Sequence, residues 1–295
     1  MRGVASVAKA TALEVLSEPL TLLVLLAALT LAVLAPAFHY HQFGEATRMA
    51  RDAGFSALFT CGSVVAAFGT IRAFRREIES GTVQMALSHP VSRGGFFFAK
   101  ATGAFVAYLA FAATVFGTSL AVVEGARIGG AIAAQSGDIA RLSGPFLAAG
   151  VAVMFVPLLL GAALNRFARF RFVLTSMATA LVLALAVGGT SSALDSALLP
   201  RYAPVAVLLL PPALLLVFAS AAFAVRFKAN VASACVGVLA ALCVPAVGNY
   251  YMADALSRDG TVSWGFVASA SLATLPAVAA FALLGLRFIG GRDLS

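Results

Sequence analysis

The sequence predicts an all-α fold: a polytopic transmembrane helix bundle. Three observations predict it: an apolar composition, apolar runs of span length, and a charge bias between alternate connections. Of 295 residues, 61% are hydrophobic and 11% are charged, against about 25% charged in soluble domains. The mean hydropathy is +0.99, which fits a chain whose main solvent is lipid. A bilayer core about 30 Å thick takes roughly 20 apolar residues per helical crossing. Eight such runs are separable: Leu20–Phe38, Ala53–Ile71, Ala101–Val123, Pro145–Leu164, Phe172–Thr190, Ala203–Val225, Val231–Tyr251 and Val262–Leu286. About eight spans follow, or six if two runs are re-entrant or skim the interface. The whole chain, 1–295, reads as a single transmembrane domain.

The charges orient the runs. With the N-terminus cytoplasmic, the inside segments hold Arg2, Lys9, Arg72, Arg75, Arg76, Arg93, Lys100, Arg166, Arg169, Arg171, Arg226, Lys228, Arg287 and Arg292. The outside segments hold only Arg48, Arg51, Arg127, Arg141, Arg201 and Arg258. Inner loops of membrane proteins gain Lys and Arg in this way, so both termini are expected inside a plasma or inner membrane. The net charge of +8 is spread between apolar runs. It makes no dense patch for nucleic acid.

Residues 1–18 precede the first run and differ from it. Val4, Val7, Ala8, Leu13 and Leu16 recur at roughly helical intervals, while Lys9, Glu14 and Glu18 are polar. An amphipathic helix in the inner interface fits this pattern, and Pro19 would turn the chain into the bilayer. The alternative is a plain extension of the first span. The charges also argue against a secretory signal.

The eight runs contain no charged residue. Ion-coupled carriers generally bury acids, arginines or histidines to bind the coupling ion, and charged filter rings mark many channels. If this chain moves a substrate, the energy is expected from elsewhere. No catalytic triad or paired carboxylate lies in the runs, which disfavours an intramembrane enzyme.

The longest polar interruption on the inner face is residues 72–100, RAFRREIESGTVQMALSHPVSRGGFFFAK. Ser80 and Gly81 can end one helix, and Thr82 can cap another. Val83, Ala86 and Leu87 share one face, and Pro90 stops the helix. Gly94 and Gly95 are expected to loosen the chain before Phe96, Phe97 and Phe98 re-enter the interface. Lys100 is expected at the membrane edge, its ammonium reaching water or phosphate. A short surface helix with apolar anchors and a charged rim suits docking into a groove on a soluble partner. A solvated connector obeying the positive-inside rule remains the competing reading of the residues alone.

This stretch resembles the cytoplasmic loop of ABC transporter type-2 permeases, which reads roughly E-x-x-x-G-T-x-x-x-L-L-x-x-P-x-x-R with a K near the next span. Glu77, Gly81, Thr82, Leu87, Pro90, Arg93 and Lys100 match it, and Glu79 supplies a second acid. Gln84, Met85 and Ala86 depart from the family's usual Leu and acid, and His89 replaces a small or apolar residue. The resemblance implies a coupling helix that fits a cleft on an ABC ATPase subunit. On that reading Glu77, Glu79, Gly81, Thr82, Val83, Leu87, Pro90 and Arg93 couple to the ATPase. It also implies the interfacial N-terminal helix, ATP and Mg bound by the partner, and a second permease copy as homo- or heterodimer. Family members usually have six spans, so the runs after residue 226 are extra. The chain has no G-x-x-x-x-G-K-[ST], so hydrolysis would come from a separate subunit.

Other features read blandly. Arg166, Arg169 and Arg171 are expected to meet anionic headgroups at the membrane interface. His39 and His41 lack further ligands, so no metal site is expected. Cys61, Cys235 and Cys243 have no disulfide or zinc spacing. Gly125 and Gly129 read as an outer loop beside Glu124 and Arg127. Pro157, Pro211, Pro212, Pro245 and Pro276 lie in runs, where kinks are expected. The reading is therefore a permease subunit of an ABC exporter with no catalytic residue of its own. The alternative is a non-transporting membrane anchor that recruits a soluble complex.

Overall fold

The computed structural model describes residues 2–34, 46–80, 92–136, 144–228, 230–238 and 262–290. Helix is the regular structure throughout these residues, and they contain no strand. The expectations for Pro36–Phe38, the helix around Thr82–Leu87, His39, His41, His89, Pro90, Cys243, Pro245 and most of the run 231–251 lie outside them.

The helices are α1 (Arg2–Leu16), α2 (Pro19–Leu34), α3 (Ala46–Val64), α4 (Thr70–Glu79), α5 (Arg93–Ser136), α6 (Gly144–Ala168), α7 (Phe172–Leu194), α8 (Leu198–Leu208), α9 (Leu210–Arg226), α10 (residues 230–238) and α11 (Trp264–Gly290). A π-helical turn, Val65–Gly69, joins α3 to α4. Six helical runs are long and apolar enough to cross a membrane: Thr47–Glu79, Arg93–Ile128, Gly150–Ala168, Phe172–Leu194, Leu198–Arg226 and Trp264–Gly290. The bent pair α1 and α2 makes a seventh if counted as one span. The protein is a polytopic helical bundle.

Several helices outrun the apolar runs that foretold them. α5 starts eight residues before Ala101 and continues to Ser136. Gly125 and Gly129 are therefore helical, where a loop was expected. Hydrogen-bonded turns need no apolar side chains, so a span can continue past the hydrocarbon. Prolines behave according to position. Pro211 and Pro212 open α9, and Leu209 breaks the helix just before them. At a first helical turn proline loses no backbone bond. Pro157 and Pro276 are carried inside α6 and α11, which stay continuous. Several serines and threonines in the spans bond to the carbonyl one turn back, as Thr114 does to Ala110 O at 2.9 Å and Thr118 to Thr114 O at 2.9 Å. That satisfies hydroxyls where lipid cannot.

Packing divides the chain into two compact units. The first comprises Met1–Leu16, Ser63–Leu109 and Val207–Ser295. Its core joins Phe74 of α4, Phe97 of α5, Ala221 and Ala224 of α9, Val236 of α10 and Ile289 of α11. Phe97 is wholly buried, 5.6 Å from the Phe74 ring and 6.3 Å from Phe218. A Cβ at Gly285 would strike the Phe97 ring, so glycine is what lets α11 close over it. On another side of α4, Val15 of α1 packs with Ala73 and Ala107.

The second unit comprises Ser17–Gly62 and Ala110–Ala206. Here α6 lies along α7 and α2. α5 and α7 meet backbone to backbone: a Cβ at Gly117 would stand 2.6 Å from Ala184 O, and one at Gly188 would stand 2.8 Å from Gly117 O. Such crossings use small residues because dispersion, not hydrophobic burial, holds helices together in lipid. Leu159 on α6 and Val182 on α7 point outward, as lipid-facing side chains do.

Candidate functional site

The two stems of the inner-face loop lie in the first unit. α4 leads in and α5 leads out. α4 is amphipathic: Ile71, Ala73 and Phe74 are buried, while Arg72, Arg76 and Glu79 are exposed. Ser80 ends it, its N–H donating to Arg76 O at 3.0 Å and its hydroxyl to Glu77 O at 3.3 Å. Ser92 opens α5, its Oγ accepting from the Gly95 N–H at 3.1 Å. This is an N-cap, and it fixes the helix where Gly94 and Gly95 were expected to loosen the chain. The signal was a serine four residues ahead of Phe96.

Lys100 departs most from expectation. Its ammonium does not reach toward water. The side chain is fully buried and turned inward between the stems. Nζ donates to Ala73 O at 2.5 Å and pairs with Glu77 Oε1 at 3.0 Å. It also lies 5.6 Å from the Phe74 ring centroid and 5.8 Å from that of Phe96, close enough for attraction by the ring faces. A lone ammonium out of water costs several kcal/mol. A carboxylate, a carbonyl and two aromatic faces together offset that. The burial follows from spacing: Lys100 stands four residues after Phe96 and three after Phe97, on the apolar face.

Of the residues assigned to coupling, Glu77 thus belongs to an internal pair, being 28% exposed. Glu79 is outside, held by Arg75 at 2.6 Å, and Arg75 also donates to Phe227 O at 3.2 Å beyond the end of α9. Arg93 is exposed and donates to Gly290 O at 3.4 Å, at the end of α11. A cation there also suits the negative end of the helix dipole. Both stems are therefore braced by the C-terminal third. Gly81, Thr82, Val83, Leu87 and Pro90 lie outside the described residues. Arg76 meets Glu14 of α1 at 3.6 Å, with Arg76 largely exposed. Such a pair contributes about 0–1 kcal/mol.

Arg166, Arg169 and Arg171 sit together at the tight turn from α6 to α7, all exposed. Phe167 is 87% exposed and Phe170 is exposed as well. Arg169 takes φ 55°, a left-handed conformation that ends α6 where glycine is usual.

A further group escaped sequence reasoning. Glu124 is fully buried in α5, and both its oxygens accept from Arg127, at 2.6 and 2.9 Å. Arg127 also approaches Asp195 Oδ2, 3.6 Å away at the end of α7. Leu120 and Ala121, buried one turn earlier, were the available signal. Among the described residues no group of three or more His, Cys, Asp or Glu could hold a metal ion.

A family model described as "ABC-2 family transporter protein" matches residues 17–188. Those 172 positions (188 − 17 + 1) are more than half of the 295. No curated protein and no solved structure matches the chain. The match includes the loop, both its stems and the Lys100–Glu77 pair, in a chain of apolar helices. The chain belongs to the ABC-2 transporter family, as a permease-type membrane component of an ABC transporter.

Proposed function

We propose that this permease is one half of an ATP-driven exporter, driven through its loop by a separate ATPase subunit. Two copies, or this chain and a related one, pair with two ATPase subunits that bind ATP and Mg. The assembly sits in the cell membrane with both termini cytoplasmic. The reading rests chiefly on the inner-face segment 72–100: Glu79 and Arg93 are exposed at the facing ends of α4 and α5, while the two helices run into the packed core. Glu77, Glu79, Gly81, Thr82, Val83, Leu87, Pro90 and Arg93 form the coupling element. ATP binding closes the ATPase dimer, the loop moves with it, and the spans shift between access states by a change in relative stability. The Arg166, Arg169 and Arg171 turn faces anionic headgroups, with Phe167 and Phe170 in the interface.

Co-purification under gentle detergent tests this. An ABC ATPase is expected with the wild type, and Leu87→Asp and Glu79→Ala are expected to weaken its retention. A wild-type permease that retains no ATPase ends the proposal. Retention without nucleotide-driven transport in proteoliposomes would favour the anchor alternative.

A further inference from the structure

We infer that Lys100 is a positioning residue for coupling: it locks the two stems of the loop into one body, so that a push on the loop reaches α4 and α5 together. This rests on the proposed coupling role of the loop and specifies how its motion is passed on.

Three observations carry it. First, the ammonium bonds to α4 at two points, Ala73 O at 2.5 Å and Glu77 Oε1 at 3.0 Å, while its own backbone belongs to α5. The two acceptors come from residues one helical turn apart in α4 and converge on one nitrogen, so sliding one stem along the other would break both contacts. Second, the side chain is fully buried under Phe74 and Phe96. The ammonium itself is out of water, so separating the stems would strand a charge. Third, each stem has its own brace: Arg75 to Phe227 O on the α4 side, Arg93 to Gly290 O on the α5 side. These braces hold the stems to different helices, α9 and α11. The Lys100 pair is a polar link directly between the stems. A topological charge at the membrane edge needs none of this.

Hydrogen exchange read by mass spectrometry tests the inference in two arms. In the first, the full chain alone sits in nanodiscs. Lys100→Met is expected to raise exchange over residues 72–79 and 93–100 at least tenfold, with 264–290 within twofold of wild type. Unchanged stems overturn the inference, and so does an equal rise in every helix, which would mark general destabilisation. In the second arm the ATPase complex is compared with and without AMP-PNP and Mg. In the wild type both stems are expected to respond to nucleotide together. In Lys100→Met the response is expected in one stem only, and restored by Lys100→Arg. Stems that still respond together in Lys100→Met overturn the inference. Should that variant not assemble, Glu77→Gln replaces it, with a weaker loss expected and the same overturning result. A wild type that captures no ATPase would end the exporter proposal, while the first arm still decides whether Lys100 joins the stems.

Discussion

α5 carries a buried charge near each end, and the two are neutralised in different ways. Lys100 finds its partners on another helix, at Ala73 and Glu77 of α4. Glu124 finds its closest partner three residues away on α5 itself, in Arg127, which is 51% exposed. The first arrangement ties two elements of tertiary structure together. The second settles a charge locally and would survive if neighbouring helices drifted apart, apart from the longer reach to Asp195. A buried ion pair therefore says little about mechanics until the location of the partner is known. Of these two pairs, the one at Lys100 has its nearest partners on a neighbouring helix and the one at Glu124 on its own.

The largest effect should come from stranding the buried ammonium. Glu77→Ala removes its carboxylate and is expected to lower stability by about 3–5 kcal/mol, the usual result of breaking a buried pair from one side. Lys100→Met should cost less, about 1–2 kcal/mol, because Glu77 is partly exposed and water can replace its lost partner. Thermal unfolding in detergent reads both. If Lys100→Met is the more damaging, the inward-facing charge is not what dominates at that end.

Next in size is Arg127→Met, which bares Glu124. About 2 kcal/mol is expected, below the figure for a fully buried pair because Arg127 is half exposed. Asp195→Asn, which keeps the oxygen that accepts from the Ala197 N–H, should cost less than about 0.5 kcal/mol. The comparison sharpens if Arg127→Met leaves exchange in the two loop stems unchanged; a rise there would show that the local pair also bears on the stems.

The basic turn supplies the smallest effects. Replacing Arg166, Arg169 and Arg171 together by Gln should move stability in neutral detergent by no more than about 0.5 kcal/mol. It should also remove most of the stabilisation that added anionic phospholipid gives the wild type. If anionic lipid protects the triple variant equally, the turn is not its binding surface. Arg169→Gly should be neutral or stabilising by up to about 1 kcal/mol, since glycine takes φ 55° without the Cβ penalty but loses more chain entropy on folding. A clear drop in melting temperature would show that the Arg169 side chain has a partner in the folded state.

Much of the fold was legible in the sequence. Run length and hydropathy foretold the start of α7 at Phe172 and its end one helical turn short, at Thr190 against Leu194. The break before Pro19 and the doubled proline at 211–212 are local backbone chemistry, and the chain alone shows them. The charged residues were harder to place. Lys100 and Glu124 border the apolar run 101–123, and a run boundary records depth along the helix, not which face a residue occupies. Counting turns from Phe96 and Leu120 would have put both on buried faces. The π-helical turn at Val65–Gly69 left no comparable mark in the sequence.

Hydropathy, span length and a loop motif are properties of consecutive residues, so residue order alone pointed to a lipid-solvated helical bundle of this family, though with about eight runs where six or seven span-length helices are found among the described residues. Which charges turn inward, and what they hold, was set by packing in three dimensions. Glu77 and Lys100 lie 23 residues apart with a loop between them. Their pairing exists because α4 and α5 pack closely enough to bury the ammonium, and nothing in the order of residues fixes that distance. Likewise the C-terminal third, outside the matched family region, gains a place only in three dimensions, where Phe227 O and Gly290 O receive the arginines of the two stems.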